Sequence, residues 1–78
     1  MSMYHLYMDD KSVFAKRLKD LRKEQHLKQV DVALATGIGR SSLSHYELGE
    51  SDMTFAVAIK LADYYGVSLD YLAGRKDY

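Results

Sequence analysis

Apolar residues recur along this 78-residue chain at helical intervals, with glycine, serine and threonine between the runs. Phe14, Leu18 and Leu21 fall at i, i+4 and i+7, one stripe of an amphipathic helix, with Lys16, Lys19 and Lys23 on the other side. Asp10 or Ser12 is placed to cap that helix, which continues in good helix formers to about His26. A second helix is expected from about Lys28 to Ala35, with Val32 and Ala33 turned inward and Val30 and Leu34 turned outward. Gly37 stops it in a left-handed cap, and Gly39 serves as an acceptable N-cap for a third helix from Arg40 to about Leu48. Gly49 ends that helix. Thr54 caps a fourth, FAVAIKLADYY, whose Phe55, Ala58, Leu61, Ala62 and Tyr65 share a helical spacing. Gly66 ends the fourth helix and Ser68 caps a short fifth, with Val67 and Leu72 set as a hydrophobic staple and Gly74 as its stop. The expected fold is all-α, with five helices and no strand in the body.

Residues 1–10 fit this pattern least. Tyr4, Leu6 and Met8 alternate with His5 and Tyr7, a short strand signal. They form either a frayed tail or an arm that pairs with a second subunit. The expected division is 1–10 as tail or arm, 11–74 as the helical domain and 75–78 as a polar tail.

Formal net charge is zero, which at first argues against a polyanionic partner. The distribution changes that picture. Between Lys11 and His45 eight Lys/Arg face three acids, a balance of +5. From Tyr46 to Tyr78 three Lys/Arg face six acids, a balance of −3, and the first ten residues add −2. A phosphate backbone responds to charge within about a Debye length of 10 Å, so a basic front half can bind it; the alternative is a solvated helix face.

With 47% apolar residues the chain can build one modest core. No cysteine is present, so disulfides and thiolate metal sites are excluded, in keeping with a reducing, cytoplasmic setting. No apolar run approaches the ~20 residues of a membrane span, and MSMYHLYMDD does not read as a signal peptide. His5, His26 and His45 lie in separate segments with no catalytic or metal-ligand spacing, so no enzyme, metal or cofactor is expected.

Within Gln29–Leu48, Gly37 makes a tight corner between two short helices, and Val32, Ile38, Leu43 and Tyr46 can meet on the buried side. Arg40, Ser41, Ser44 and His45 are left outside, short or donor-rich groups suited to a base edge. RLKDLRKEQHLKQVDVALATGIGRSSLSHYELG, followed by AIKLADYYGVSLDYLAG, resembles the Cro and lambda-repressor-like helix-turn-helix regulators over about Phe14 to Gly74. The resemblance rests on the leucine-basic first helix, the Gln29–Ala33–Gly37 spacing, Tyr46-Glu47-x-Gly49 and LADYYGVSLDYL.

That resemblance implies a five-helix lambda-repressor-like domain that binds double-stranded DNA with its third helix in the major groove. It implies base contacts by Arg40, Ser41, Ser44 and His45 and phosphate contacts by Lys28, Gln29, Ser42 and Arg22. It also implies a brace between Arg22 and Glu47. Arg40 is suited to guanine O6 and N7, with a phosphate clamp as the alternative; His45 is either a base reader or a plain surface residue. A repressor acting as a homodimer on an inverted repeat is the expected function. A protein-interaction module or antitoxin-like, partner-binding protein on the same fold is the alternative. The dimer surface falls either on the N-terminal tail or on the last helix with Tyr71 and Tyr78. The sequence departs from the family pattern at Lys28, where a capping threonine or serine is common, and at Leu48, where asparagine is common. It also departs in the acidic loop with Glu50 and Asp52, which is expected to weaken phosphate contacts on that flank.

Overall fold

The computed structural model describes residues 3–78, with side chains from residue 12 onward. Five helices follow one another: α1 Met3–Glu24, α2 Gln29–Thr36, α3 Arg40–Leu48, α4 Phe55–Tyr65 and α5 Leu69–Leu72. No strand occurs among the described residues. None of these helices is long and apolar enough to cross a membrane. α1 packs on α3 and α5, α2 lies between α3 and α4, and α4 closes on α5. Leu18, Val32, Leu43, Leu61 and Leu72 fill the centre, and Leu21, Ile38, Ala62 and Tyr65 surround them.

One correction concerns the start of α1. The helix begins at Met3, not at a cap on Asp10 or Ser12, and from Met3 the alternating strand signal is not realised. No glycine or proline interrupts Met3–Glu24, and extending a formed helix costs far less than nucleating a strand without a partner. The suggested partner-facing role of Tyr4, Leu6 and Met8 lies outside the described side chains. A second correction concerns Phe55. It shares the helical spacing of Ala58, Leu61 and Tyr65, yet it is 73% exposed. It stands in the first turn of α4, beyond the end of the core, at the rim of an open groove of about 440 Å³ lined in part by Phe14, Tyr46 and Met53.

The helix ends account for most of the local specification. Gly37 has φ 76°, and nothing lies near the Cβ it lacks, so the turn needs glycine for its backbone alone. The Thr36 hydroxyl completes the corner, donating to Val32 O at 2.7 Å and accepting from the Ile38 N–H at 3.3 Å. Thr54 and Ser68 cap α4 and α5 by accepting from the N–H groups of Val57 and Tyr71. At Lys28 the side chain makes no cap, as the departure from the family pattern implies. The Asp31 carboxylate instead reaches back and accepts the Lys28 backbone N–H at 2.7 Å, so half of a capping box survives.

Arg17 belongs to the fold rather than to a free basic face. Its Nη1 donates to the carbonyls of Tyr71 at 2.6 Å and Lys76 at 2.9 Å, and its guanidinium lies 4.3 Å from the centre of the Tyr71 ring. The last residues are thereby clasped to α1. Lys16 pairs with Asp20 at 2.7 Å, and that hydrogen bond raises the Lys16 ammonium above its ordinary range.

α1 ends without glycine. His26 takes φ 58°, while its N–H bonds to Lys23 O and that of Leu27 bonds to Arg22 O, the paired bonds of a Schellman turn. A side chain with a Cβ is strained in this conformation by about 1 kcal/mol. His26→Gly is therefore expected to stabilise the domain by about 0.5–1 kcal/mol in urea denaturation; an unchanged or lower midpoint contradicts this account of the turn.

Candidate nucleic-acid interface

α3 has two faces because its residues advance about 100° each. Leu43 and Glu47, four apart, are buried, with Tyr46 partly buried beside them. Ser41 and His45 are exposed on the side away from them, with Ser44 half-buried. Arg40 is exposed too, but it stands seven residues before Glu47, at nearly the same angle around the helix, and is open because it lies in the first turn. Ser41, Ser44 and His45 thus lie on one outward side, with Arg40 exposed at its edge where the helix begins. Ser42 is also half-buried, away from the centre of that face. Leu48 continues the face and is 61% exposed.

A single carboxylate holds this helix in place. Glu47 Oε2 accepts from Arg22 Nε at 2.8 Å, and Oε1 accepts from Arg22 Nη2 at 2.9 Å, a two-pronged pair between α1 and α3. The same Oε1 accepts from Gln29 Nε2 at 3.2 Å, which ties the start of α2 to α3. Arg22 Nη1 donates to Leu27 O at 2.9 Å, which fixes the α1–α2 connection. The side chains are 13% and 5% exposed, so water screens the pair little. The hydrogen bond to Glu47 raises the Arg22 guanidinium above its ordinary range. Burial, and next the neighbouring Glu47 charge, push the Tyr65 phenol up to about 12, so Tyr65 stays neutral beneath the pair. No buried side-chain nitrogen or oxygen among the described residues lacks a hydrogen-bond partner.

Arg22, Lys28, Gln29, Val30 and Arg40 line one shallow open recess between the start of α2 and the start of α3. Three of the four residues expected at phosphate therefore stand next to Arg40; Ser42 does not line the recess. Arg22 enters it with three of its donors already committed, so its part is chiefly structural. His45 is not free either: its Nδ1 lies 2.9 Å from Glu50 Oε1. Sequence reasoning weighed Glu50 only as a charge, because a pairing across the end of a helix depends on the turn that follows it. The roles of Thr36 and Arg17 were missed for different reasons. Thr36 at the corner had a local signal, a hydroxyl one residue before the turn glycine; Arg17 had none.

A sequence profile for the family described as helix-turn-helix matches residues 18–72. The chain belongs to that family, in its Cro and lambda-repressor-like branch. The HTH-type transcriptional regulator ImmR of Bacillus subtilis (strain 168) is 37% identical over 62 residues, 80% of this chain and 49% of that protein. The cryptic phage CTXphi transcriptional repressor RstR of Vibrio cholerae is 35% identical over 65 residues, 83% of this chain and 59% of that protein. The uncharacterized HTH-type transcriptional regulator YqaE of Bacillus subtilis (strain 168) is 37% identical over 60 residues, 77% of this chain and 52% of that protein. This helix-turn-helix chain spans about half the length of the curated relatives it matches. No solved structure gives a significant match.

Removing one partner of a well-shielded pair strands the other charge. Glu47→Ala is expected to lower the unfolding free energy by about 3 kcal/mol, whereas the double variant Arg22→Met with Glu47→Leu recovers most of that loss. Urea denaturation measures both. A Glu47→Ala cost within the ~0.5 kcal/mol of an ordinary surface change is incompatible with a bracing role.

Proposed function

We propose that this chain is a sequence-specific DNA-binding transcriptional regulator, acting as a repressor and binding an inverted-repeat operator as a homodimer. The observation that carries the reading is the outward side of α3, with Ser41, Ser44 and His45 on it and Arg40 at its leading edge, where Arg40 lines a recess with Lys28 and Gln29. In this reading α3 lies in the major groove and Arg40 reaches a guanine edge through two parallel donors. Lys28, Gln29 and Ser42 contact phosphates, Arg22 lies near them, and the first-turn N–H groups of α3, which has no side-chain cap, add to the site. Two such helices, one from each subunit, sit ~34–36 Å apart on one side of the duplex. The regulators and the repressor among the relatives support this reading for the whole protein, which works in the cytoplasm without metal, cofactor or catalysis.

A second reading has one observation in its favour. Val30 and Leu34 on α2 are 43% and 81% exposed, an apolar ridge suited to a protein partner. A protein-interaction or antitoxin-like role uses that ridge on the same fold. Site selection from random DNA separates the two: an enriched motif favours DNA reading, and its absence together with a tight protein partner favours the ridge.

Two measurements test the DNA reading. Log affinity for a selected site is expected to fall linearly with log salt, by about 0.9 for each phosphate neutralised, and a flat dependence overturns the proposal. Arg40→Ala is expected to cost about 1–3 kcal/mol and to relax preference at one base position per half-site. Equal weakening on every sequence reassigns Arg40 to a phosphate.

A further inference from the structure

Glu50 lies outside the recognition helix, yet its geometry bears directly on one of the residues that face outward from it. Gly49 takes φ 73° after the last turn of α3. Its N–H bonds to Tyr46 O at 3.2 Å, and the Glu50 N–H bonds to His45 O at 3.0 Å. This Schellman turn folds residue 50 back over residue 45. The same two residues then meet a second time through their side chains, His45 Nδ1 to Glu50 Oε1 at 2.9 Å. Backbone and side chain together make a small ring that orients the imidazole.

The chemistry of that contact decides the proton. A carboxylate has no hydrogen to give, so Nδ1 carries it and donates. In neutral histidine the other nitrogen, Nε2, is then an acceptor. We infer that Glu50 is a positioning residue for base recognition: it holds neutral His45 as the Nδ1–H tautomer, so that Nε2 accepts from an exocyclic amino group, adenine N6 or cytosine N4, in the major groove. This inference rests on the DNA reading proposed above. It gives the acidic loop a constructive part. The carboxylate removes some attraction for phosphate, and in exchange it specifies which hydrogen-bond sense His45 offers. Without Glu50 the ring is free to take the Nε2–H tautomer, a donor, which matches guanine O6 or N7 or thymine O4 instead.

The test has two arms. Long-range proton–nitrogen NMR at a pH about 1.5 units above the ordinary histidine value of ~6.5 reports the tautomer of neutral His45, assigned with His45→Asn. The intact chain is expected to show Nδ1–H, and both Glu50→Ala and Glu50→Gln are expected to move the population toward Nε2–H. Nε2–H in the intact chain overturns the inference, as does an unchanged tautomer in both variants. In the second arm, sites are selected from random duplex DNA at the same pH. His45→Ala identifies the position that His45 reads, and Glu50→Ala and Glu50→Gln are expected to lower discrimination there about tenfold, with other positions retained. Asp63→Asn, which removes an acid exposed on α4, is the charge control and is expected to leave that position unchanged. A change spread over all positions, or the same change in Asp63→Asn, overturns the inference by showing bulk charge at work. If the intact chain selects no motif, the DNA reading itself fails and the base-recognition role fails with it, while the tautomer arm still reports whether Glu50 sets the ring. If a motif is selected but the Glu50 variants leave it untouched, the DNA reading stands and the inference alone fails.

Discussion

Glu47 sits at the meeting point of three helices, and its carboxylate receives Arg22 from α1 and Gln29 from α2 while riding on α3. Ion pairs removed from water seldom contribute much net stability, because desolvation offsets attraction. Their geometry is demanding, however, and a misplaced helix leaves charges without partners. The pair therefore acts mainly as a register device. It allows one orientation of α3 relative to α1, and the same guanidinium reaches the Leu27 carbonyl to fix the entry into α2. The outward face of α3 inherits its aim from this buried cluster.

The two ends of α3 are treated differently. At its start, the Gly39 cap contributes no side-chain bond, and Arg40 in the first turn lines the recess with Lys28. At its end, a left-handed glycine returns the chain and brings Glu50 onto His45. Cationic side chains lie at the front of the helix, and an imidazole in contact with a carboxylate lies toward the rear. This arrangement explains how a chain with zero net charge can present a locally basic surface.

That surface is smaller than the number of cations in the basic half suggests. Of the cations in the basic half, Arg17 holds the C-terminal residues, Arg22 braces α3, and Lys16 is tied to Asp20. Sequence position reports that a cation exists; only packing reports whether its donors are already spent. The same distinction separates Phe55 from Leu61. Both fit one helical stripe, but the core ends before the first turn of α4 reaches it, so one is exposed and the other buried.

Local rules carry the elements themselves. Helical spacing of Leu18, Leu21, Leu61 and Tyr65, glycine at 37, 49 and 66, and hydroxyl caps at 54 and 68 act within a few residues, so the chain alone determined α2 to α5 and the family pattern. The start of α1 escaped because nothing between Met3 and Glu24 breaks a helix, and a favourable cap at Asp10 or Ser12 does not oblige one to begin there. What only the tertiary structure decided is which polar groups meet over long separations: Arg17 with Lys76, Gln29 with Glu47, and the depth at which Arg22 and Glu47 pair. Such contacts depend on how helices cross, and crossing is set by the shape of the whole core rather than by any one segment.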